Sequence, residues 1–159
     1  MRKARLHPVT ERTFLGYSWY KTFLIIAKTS IERFKNKIRV ITKRNRGRSI
    51  NLVINELNLL IRGWIHYFKL ASCKGTTKVL DGWIRRKLRC YRIKQCKSPG
   101  SLMKFLISTG LPKFQATIIA SSGKGWWCKS NTPQISWAMG LAWFEQQGLL
   151  SLHKIRMSL

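Results

Sequence analysis

Residues 50–71 constrain the fold most strongly, because their apolar side chains recur with the period of an α-helix. The apolar positions are Ile50, Val53, Ile54, Leu57, Leu60, Ile61, Trp64 and Phe68. This 3.6-residue spacing predicts a helix with one face buried in a core. A serine just before such a stripe accepts hydrogen bonds from the free N–H groups of the first turn. We therefore expect a buried helix that begins after Ser49.

Helix signals recur on both sides of this segment. Thr29 and Glu32 have the spacing of a capping box, which predicts that a basic helix begins there. Thr76 or Thr77 is expected to cap another basic helix over about 77–95. Further helices are predicted from Ser98-Pro99 to about Gly110, over 113–121, and from Thr132-Pro133 to Gly148.

Strand signals are confined to the N-terminal part of the chain. Aromatic and β-branched residues over 13–28 predict two strands with a turn near Tyr20 to Thr22. A second extended segment is expected at "GWWCKSN", residues 125–131. The predicted fold class is mainly α, with a short N-terminal β-hairpin followed by a helical bundle. The expected segments are 1–28, 29–97 and 98–159.

The tryptophans divide into two groups by their position. Trp64, Trp83, Trp137 and Trp143 lie on apolar helical stripes and, with Phe68, are expected in the core. Trp126 and Trp127 lie in the predicted extended segment. One of these two is expected to be exposed, where its ring could stack on a nucleobase.

Charge indicates the class of partner. The chain has 31 Lys and Arg against 5 Asp and Glu, a formal net charge of +26. Self-repulsion at this charge destabilises a compact state, which favours a polyanionic ligand. Nucleic acid is the first candidate, before an anionic membrane surface or an acidic protein. The cations concentrate in residues 28–48 and 78–97.

Arginine and lysine, nearly all of them in these two segments, are the candidate contacts to RNA phosphates. Arg85, Arg86, Arg89 and Arg92 share one face of a predicted helix and are the first choice. The remaining candidates are Lys35, Arg39, Lys43, Arg44, Arg46, Arg48, Arg62, Lys78 and Lys94. A solvated face that only aids solubility is the alternative, but almost no acids are interspersed.

Residues for catalysis or metal binding are sparse. The acids Glu11, Glu32, Glu56, Asp81 and Glu145 are scattered, whereas magnesium sites need clustered carboxylates. Glu32 is explained as a cap, and Asp81 as a first-turn charge favoured by the helix dipole. The four cysteines lack the spacing of a zinc site and are expected to be reduced thiols. We predict no catalytic residues, no metal ligands and no small-molecule substrate.

Localisation signals are also weak. The apolar run "FLIIA" at residues 23–27 is far too short to span a bilayer, and no signal-type run follows the N-terminus. We expect a cytoplasmic bacterial or an organellar protein that is not secreted, with no membrane partner.

Four motifs occur in a recognisable order: "FLGY" at 14–17, "LNLLIRGWIHYF" at 57–68, "LDGWIRRKLR" at 80–89 and "SNTPQISWAMGLAWFEQQGLLSL" at 130–152. This series resembles the C-terminal part of group II intron-encoded reverse transcriptase/maturases. It looks like the palm edge, the thumb and the maturase-specific domain X, and it covers about residue 12 to the end.

The resemblance implies that the thumb and maturase regions bind group II intron RNA and stabilise its active fold. In that family the RNA itself performs the transesterification. The family's polymerase needs a Tyr-x-Asp-Asp metal motif, which this sequence lacks. The chain is therefore expected to resemble a fragment that begins after that motif, so we expect no DNA synthesis by this chain alone. Mg²⁺ is expected only with the missing palm domain or with the RNA.

Three alternatives stay open at this point. The chain could be one piece of a split RNA-directed DNA polymerase, partnered by a separate chain that carries the palm. It could lie on anionic lipid, since basic amphipathic helices with tryptophan bind such surfaces. It could also be a degenerate gene product without activity.

Overall fold

The computed structural model describes residues 13–45 and 47–159 and is mainly helical, which confirms the predicted fold class. The strands are β1 (Thr13–Phe14), β2 (Tyr17–Tyr20) and β3 (Phe23–Ile26). The helices are α1 (Lys28–Ile41), α2 (Ile50–Tyr67), α3 (Lys74–Gln95), α4 (Pro99–Ser108), α5 (Lys113–Ser121), α6 (Trp126–Lys129), α7 (Pro133–Ala138), α8 (Leu141–Gln146) and α9 (Leu152–Ser158).

The helix α2 is buried along the stripe that the sequence predicted. Val53, Leu57 and Ile61 have no exposed surface. The Ser49 hydroxyl accepts a hydrogen bond from the N–H of Leu52 at 3.4 Å, so the predicted N-cap is confirmed. These apolar side chains join the other helices in one continuous hydrophobic core. Buried residues on both sides of the predicted segment boundary at 97/98 belong to that one core. The boundary therefore stays a prediction.

The strands form one antiparallel sheet in the order β1-β2-β3. The predicted turn is confirmed between β2 and β3, where Tyr20 lies opposite Phe23. The first predicted strand is divided into β1 and β2 by a turn at Leu15 and Gly16, which was not predicted. Gly16 has a φ of +81°, and a Cβ there would lie 2.7 Å from the Ser30 hydroxyl oxygen. Only glycine fits a turn that packs this closely against α1.

Two predicted helix starts are wrong. The N-cap of α1 is Ala27 rather than Thr29, and the Ala27 N–H donates to the Gly16 carbonyl at 2.9 Å. Glu32 is therefore not a capping residue. The N-cap of α3 is Cys73, three to four residues before the predicted threonines. The Thr77 hydroxyl instead donates to the Lys74 carbonyl within the helix.

The C-terminal third contains shorter helices than predicted. Ser98 caps α4 as expected, but the segment predicted to be extended contains the helical turn α6. The single helix expected over 132–148 is divided into α7 and α8 at Met139 and Gly140. Gly148 ends α8 with a φ of +79°, as predicted.

The helix α9 was not predicted, and Asp81 holds its first turn. Asp81 lies in the third turn of α3 and is buried, so its predicted place in the first turn is wrong. Its carboxylate accepts from the Ser151 hydroxyl at 2.6 Å and from the N–H groups of Leu152 and His153 at 2.9 and 3.0 Å. A buried side chain of α3 thus satisfies free donors at the start of α9.

The core predictions for the aromatic residues are confirmed with one exception. Phe68 is buried, while Trp64, Trp83 and Trp143 are partly buried and pack against the core. Trp137 is 64% exposed, so its predicted burial is wrong. The reason is that α7 is short and buries Ile135 and Ala138 instead.

Candidate nucleic-acid interface

A groove lined with cations lies between the C-terminal end of α1 with the following residues 42–45, the second half of α3 and the start of α6. Its volume is about 490 Å³. The lining residues are Arg39, Thr42, Lys43, Arg44, Asn45, Lys87, Lys94 and Trp126. We call this feature the basic groove. Five of its eight lining residues carry positive charge and none is a carboxylate. Such a surface favours a bound polyanion.

Lys87 in the basic groove is repelled by the positive charges of neighbouring arginines. Burial lowers the pKa of its ammonium group, and the positive charges of Arg39, Arg44 and Arg86 lower that pKa further. The ammonium nitrogen lies 4.9 Å from the centre of the Trp127 ring. An anion bound beside Lys87 would relieve this repulsion, because opposite charge favours the charged form of the ammonium group.

Lys87 was missed from the sequence, although it follows Arg86 directly. The available signal was its position one helical turn after Trp83, whose ring centre is 5.5 Å from the Lys87 nitrogen. Residues four apart lie on the same helix face. That spacing could have indicated a lysine held against an aromatic ring.

Two tryptophans of α6 flank the basic groove. Trp126 lines it and lies 5.5 Å from the Lys94 ammonium nitrogen. Trp127 is 39% exposed, which confirms that one of the pair reaches the surface. The Arg86 guanidinium lies over the Trp127 ring at 3.9 Å and also donates to the Trp127 carbonyl at 3.3 Å. Aromatic surface is thus available beside the cations.

Four predicted RNA-contact residues line the basic groove: Arg39, Lys43, Arg44 and Lys94. Arg39 also lies 3.6 Å from a carboxylate oxygen of Glu32, an exposed ion pair of small energy. Arg44 approaches the Cys90 sulfur at 3.6 Å. Arg46 lies outside the described residues.

Two arginines of the first-choice set, Arg89 and Arg92, contact other parts of the protein. Arg89 donates to the Met139 carbonyl at 3.0 Å and to the Ser136 hydroxyl at 3.2 Å, at the break between α7 and α8. Burial, with the charge of Arg85, lowers the pKa of Arg89. Arg92 lies 4.2 Å from the centre of the Phe105 ring. These contacts position C-terminal helices against α3.

The remaining predicted residues lie outside the basic groove. Arg85 lines a separate cavity beside α8 and α9. Lys35 pairs with Glu32 at 3.0 Å. Arg48 pairs with Glu56 at 2.7 Å. Arg62 and Lys78 are exposed on α2 and α3. Only part of the predicted RNA-contact set therefore lies together in the basic groove.

Residues 31–106 match the family model described as the maturase-specific domain of group II introns. This segment of the chain is therefore similar to that domain. It begins in α1 and ends in α4, so it supplies every lining residue of the basic groove except Trp126. In a comparison with curated proteins, none matches the chain.

The described residues contain neither a cluster of potential metal ligands nor a membrane-spanning helix. Within 13–45 and 47–159, no three His, Cys, Asp or Glu side chains lie close enough together to hold a metal ion. No helix in these same ranges combines the length and the apolarity that crossing a bilayer requires.

Proposed function

We propose that this chain is an RNA-binding maturase module that binds group II intron RNA in the basic groove and stabilises its active fold. The observation that carries the proposal is the coincidence of two features. The segment that matches the maturase-specific domain supplies seven of the eight lining residues, and five of these seven are cations while none is a carboxylate.

The proposed binding is mainly electrostatic. Each lysine or arginine that contacts a phosphate releases condensed counterions, so affinity falls steeply with salt. Arg44 offers a planar fork for two phosphate oxygens, whereas Lys87 and Lys94 act as point charges. Trp126 and Trp127 add ring surface on which an unpaired base can stack. These contacts fix position on the RNA backbone and read little sequence.

Stabilisation of the RNA fold follows from linkage. A ligand that binds only the folded RNA stabilises that fold by RT ln(1 + [L]/Kd). The protein needs no reactive side chain for this effect, because the RNA supplies the chemistry of splicing in the proposal. The described acids have other roles: Glu32, Glu56 and Glu145 form ion pairs, and Asp81 is bonded to α9.

A pair of triple variants tests the proposal. Arg44→Gln/Lys87→Gln/Lys94→Gln removes three charges from the basic groove. The matched control Lys69→Gln/Lys104→Gln/Lys113→Gln removes three exposed charges that lie outside it. Filter binding to a structured group II intron transcript is measured at several salt concentrations.

We expect the groove variant to lose more than tenfold in affinity, and the slope of log K against log salt to fall by about 2 to 3. The control should change both quantities far less. Equal losses in the two variants would show that net charge alone, and not the groove, governs binding.

A further inference from the structure

A second cavity, of about 560 Å³, lies between the sheet, the first half of α1 and the second half of α2. Aromatic side chains form much of its wall. The rings of Trp64 and Phe34 stack with centres 4.3 Å apart, and Trp64 and Phe68 lie 5.0 Å apart. Tyr67 lines the same cavity. None of these residues lines the basic groove, so this is a separate site.

Two cations line this cavity. Arg33 and Lys37 lie one helical turn apart on α1, and both are exposed. Within the described residues, neither forms an ion pair. The carboxylate of Glu32, the residue before Arg33, pairs with Lys35 and Arg39 instead. Two exposed cations beside an aromatic wall match the two parts of a nucleotide, its phosphate and its base.

The polar rim of the cavity is held by hydrogen bonds. The Ser30 hydroxyl donates to the Gly16 carbonyl at 3.0 Å. The Tyr67 hydroxyl donates to the Leu15 carbonyl at 2.9 Å, and the Tyr17 hydroxyl donates to the Tyr67 carbonyl at 2.5 Å. These bonds join the sheet to both helices, so the cavity exists before any ligand arrives. A preformed site loses less free energy to ordering when it binds.

We propose that this cavity binds one unpaired nucleotide of the RNA, with the base against Trp64 and Tyr67 and the phosphate on Arg33 and Lys37. The inference rests on the proposed RNA partner and adds a preference for an extruded nucleotide. A base inside a duplex is stacked and paired, so its ring face cannot enter a cavity in a protein. A bulge or a loop supplies such a base.

Two RNA hairpins test the preference. One carries a single-uridine bulge in its stem and the other is fully paired, with otherwise the same sequence. The variant Arg33→Gln/Lys37→Gln is compared with the matched control Lys104→Gln/Lys113→Gln, which changes two exposed lysines elsewhere. Binding of free uridine monophosphate separates a site for free nucleotides from one that needs the RNA backbone.

We expect the unaltered chain to bind the bulged hairpin about tenfold more tightly than the paired one, the size of one stacked base. The control should keep this ratio and Arg33→Gln/Lys37→Gln should bring it close to one. With 4-thiouridine at the bulge, photocrosslinking should map to Trp64 or Tyr67. Free uridine monophosphate should bind far more weakly than the bulged hairpin.

Equal affinity for the two hairpins, or a crosslink that maps only to Trp126 or Trp127, overturns this inference and leaves the proposed function intact. Free uridine monophosphate binding as tightly as the bulged hairpin overturns the need for RNA at this site. A chain that binds neither hairpin nor an intron transcript overturns the proposed function and this inference together.

Discussion

At the scale of single residues, Asp81 joins two helices that are far apart in sequence. Its carboxylate accepts three hydrogen bonds from residues 151–153 while the residue itself is buried. Two of the donors are backbone N–H groups of a helix start, which have no partner inside α9. Loss of the carboxylate therefore leaves buried donors unsatisfied.

We expect Asp81→Ala to lower the free energy of unfolding by about 3 kcal/mol, since an unsatisfied buried donor costs about 1–3 kcal/mol. Urea unfolding followed by circular dichroism measures the change. Glu56→Gln is the control, because Glu56 forms an exposed ion pair with Arg48, and its loss should cost less than about 1 kcal/mol. Equal effects of the two substitutions would show that the Asp81 contacts do not hold α9.

The charge of Lys87 has opposite effects on the stability of the fold and on the proposed binding of RNA. The pKa of Lys87 is lowered in the folded chain, so the charged form is less favourable there than in the unfolded chain. Its charge therefore destabilises the fold at neutral pH, and this penalty disappears as the pH rises through the lowered pKa to the unfolded value.

Lys87→Met keeps the length of the side chain and removes the charge. We expect equal or higher stability at pH 7 and a five- to tenfold weaker affinity for intron RNA, about 1 to 1.4 kcal/mol. Thermal unfolding and filter binding on the same preparation measure the two quantities. Lower stability with unchanged affinity would contradict the assigned role of Lys87.

At the scale of elements, the sequence predicts long helices well and short ones poorly. The apolar stripe of α2 is repeated over five turns, so its burial could be predicted from spacing alone. In contrast, α6, α7, α8 and α9 are 4 to 7 residues long, too short to carry a clear period. Their positions depend on contacts with Arg86, Arg89 and Asp81 of α3, which no local pattern reveals.

The candidate site was predictable to a similar extent. Charge density alone indicates Arg39, Lys43, Arg44 and Lys94, which all line the basic groove. It could not distinguish them from Arg89 and the other α3 arginines that face C-terminal helices. That distinction needs the packing of α3, because a guanidinium binds a backbone carbonyl or an aromatic ring as readily as a phosphate.

We expect the planar shape of the Arg86 guanidinium, and not only its charge, to stabilise the position of α6. Arg86→Lys keeps the charge but loses the planar stack on Trp127 and the hydrogen bond to its carbonyl. We expect faster amide hydrogen exchange over 126–131, equivalent to about 1 kcal/mol of local stability. Arg85→Lys is the matched control and should leave that exchange unchanged. Unaltered exchange in Arg86→Lys would mean that other contacts hold α6.

At the scale of the whole molecule, the charge of +26 opposes folding of the free chain. Salt shortens the range of this repulsion, from a Debye length of about 30 Å at 0.01 M to about 8 Å at 0.15 M. A bound RNA would supply the same relief locally, so the proposed binding would be coupled to folding through charge.

We expect the Tm of the free chain to rise when NaCl is raised from 0.01 to 0.15 M, by about 4 °C for each kcal/mol of repulsion screened. Differential scanning calorimetry at the two salt concentrations measures the shift. The groove variant Arg44→Gln/Lys87→Gln/Lys94→Gln should show a smaller rise, because it carries less repulsion to screen. A Tm that is flat or falls with salt would show that surface ion pairs outweigh repulsion.

The most direct test of RNA stabilisation is the Mg²⁺ concentration at which a group II intron transcript reaches half-folding, measured by chemical probing of its backbone. We expect the chain to lower this midpoint, and Arg44→Gln/Lys87→Gln/Lys94→Gln to leave it unchanged at equal protein concentration. A midpoint that the unaltered chain leaves unchanged, or that both proteins lower equally, would contradict this expectation.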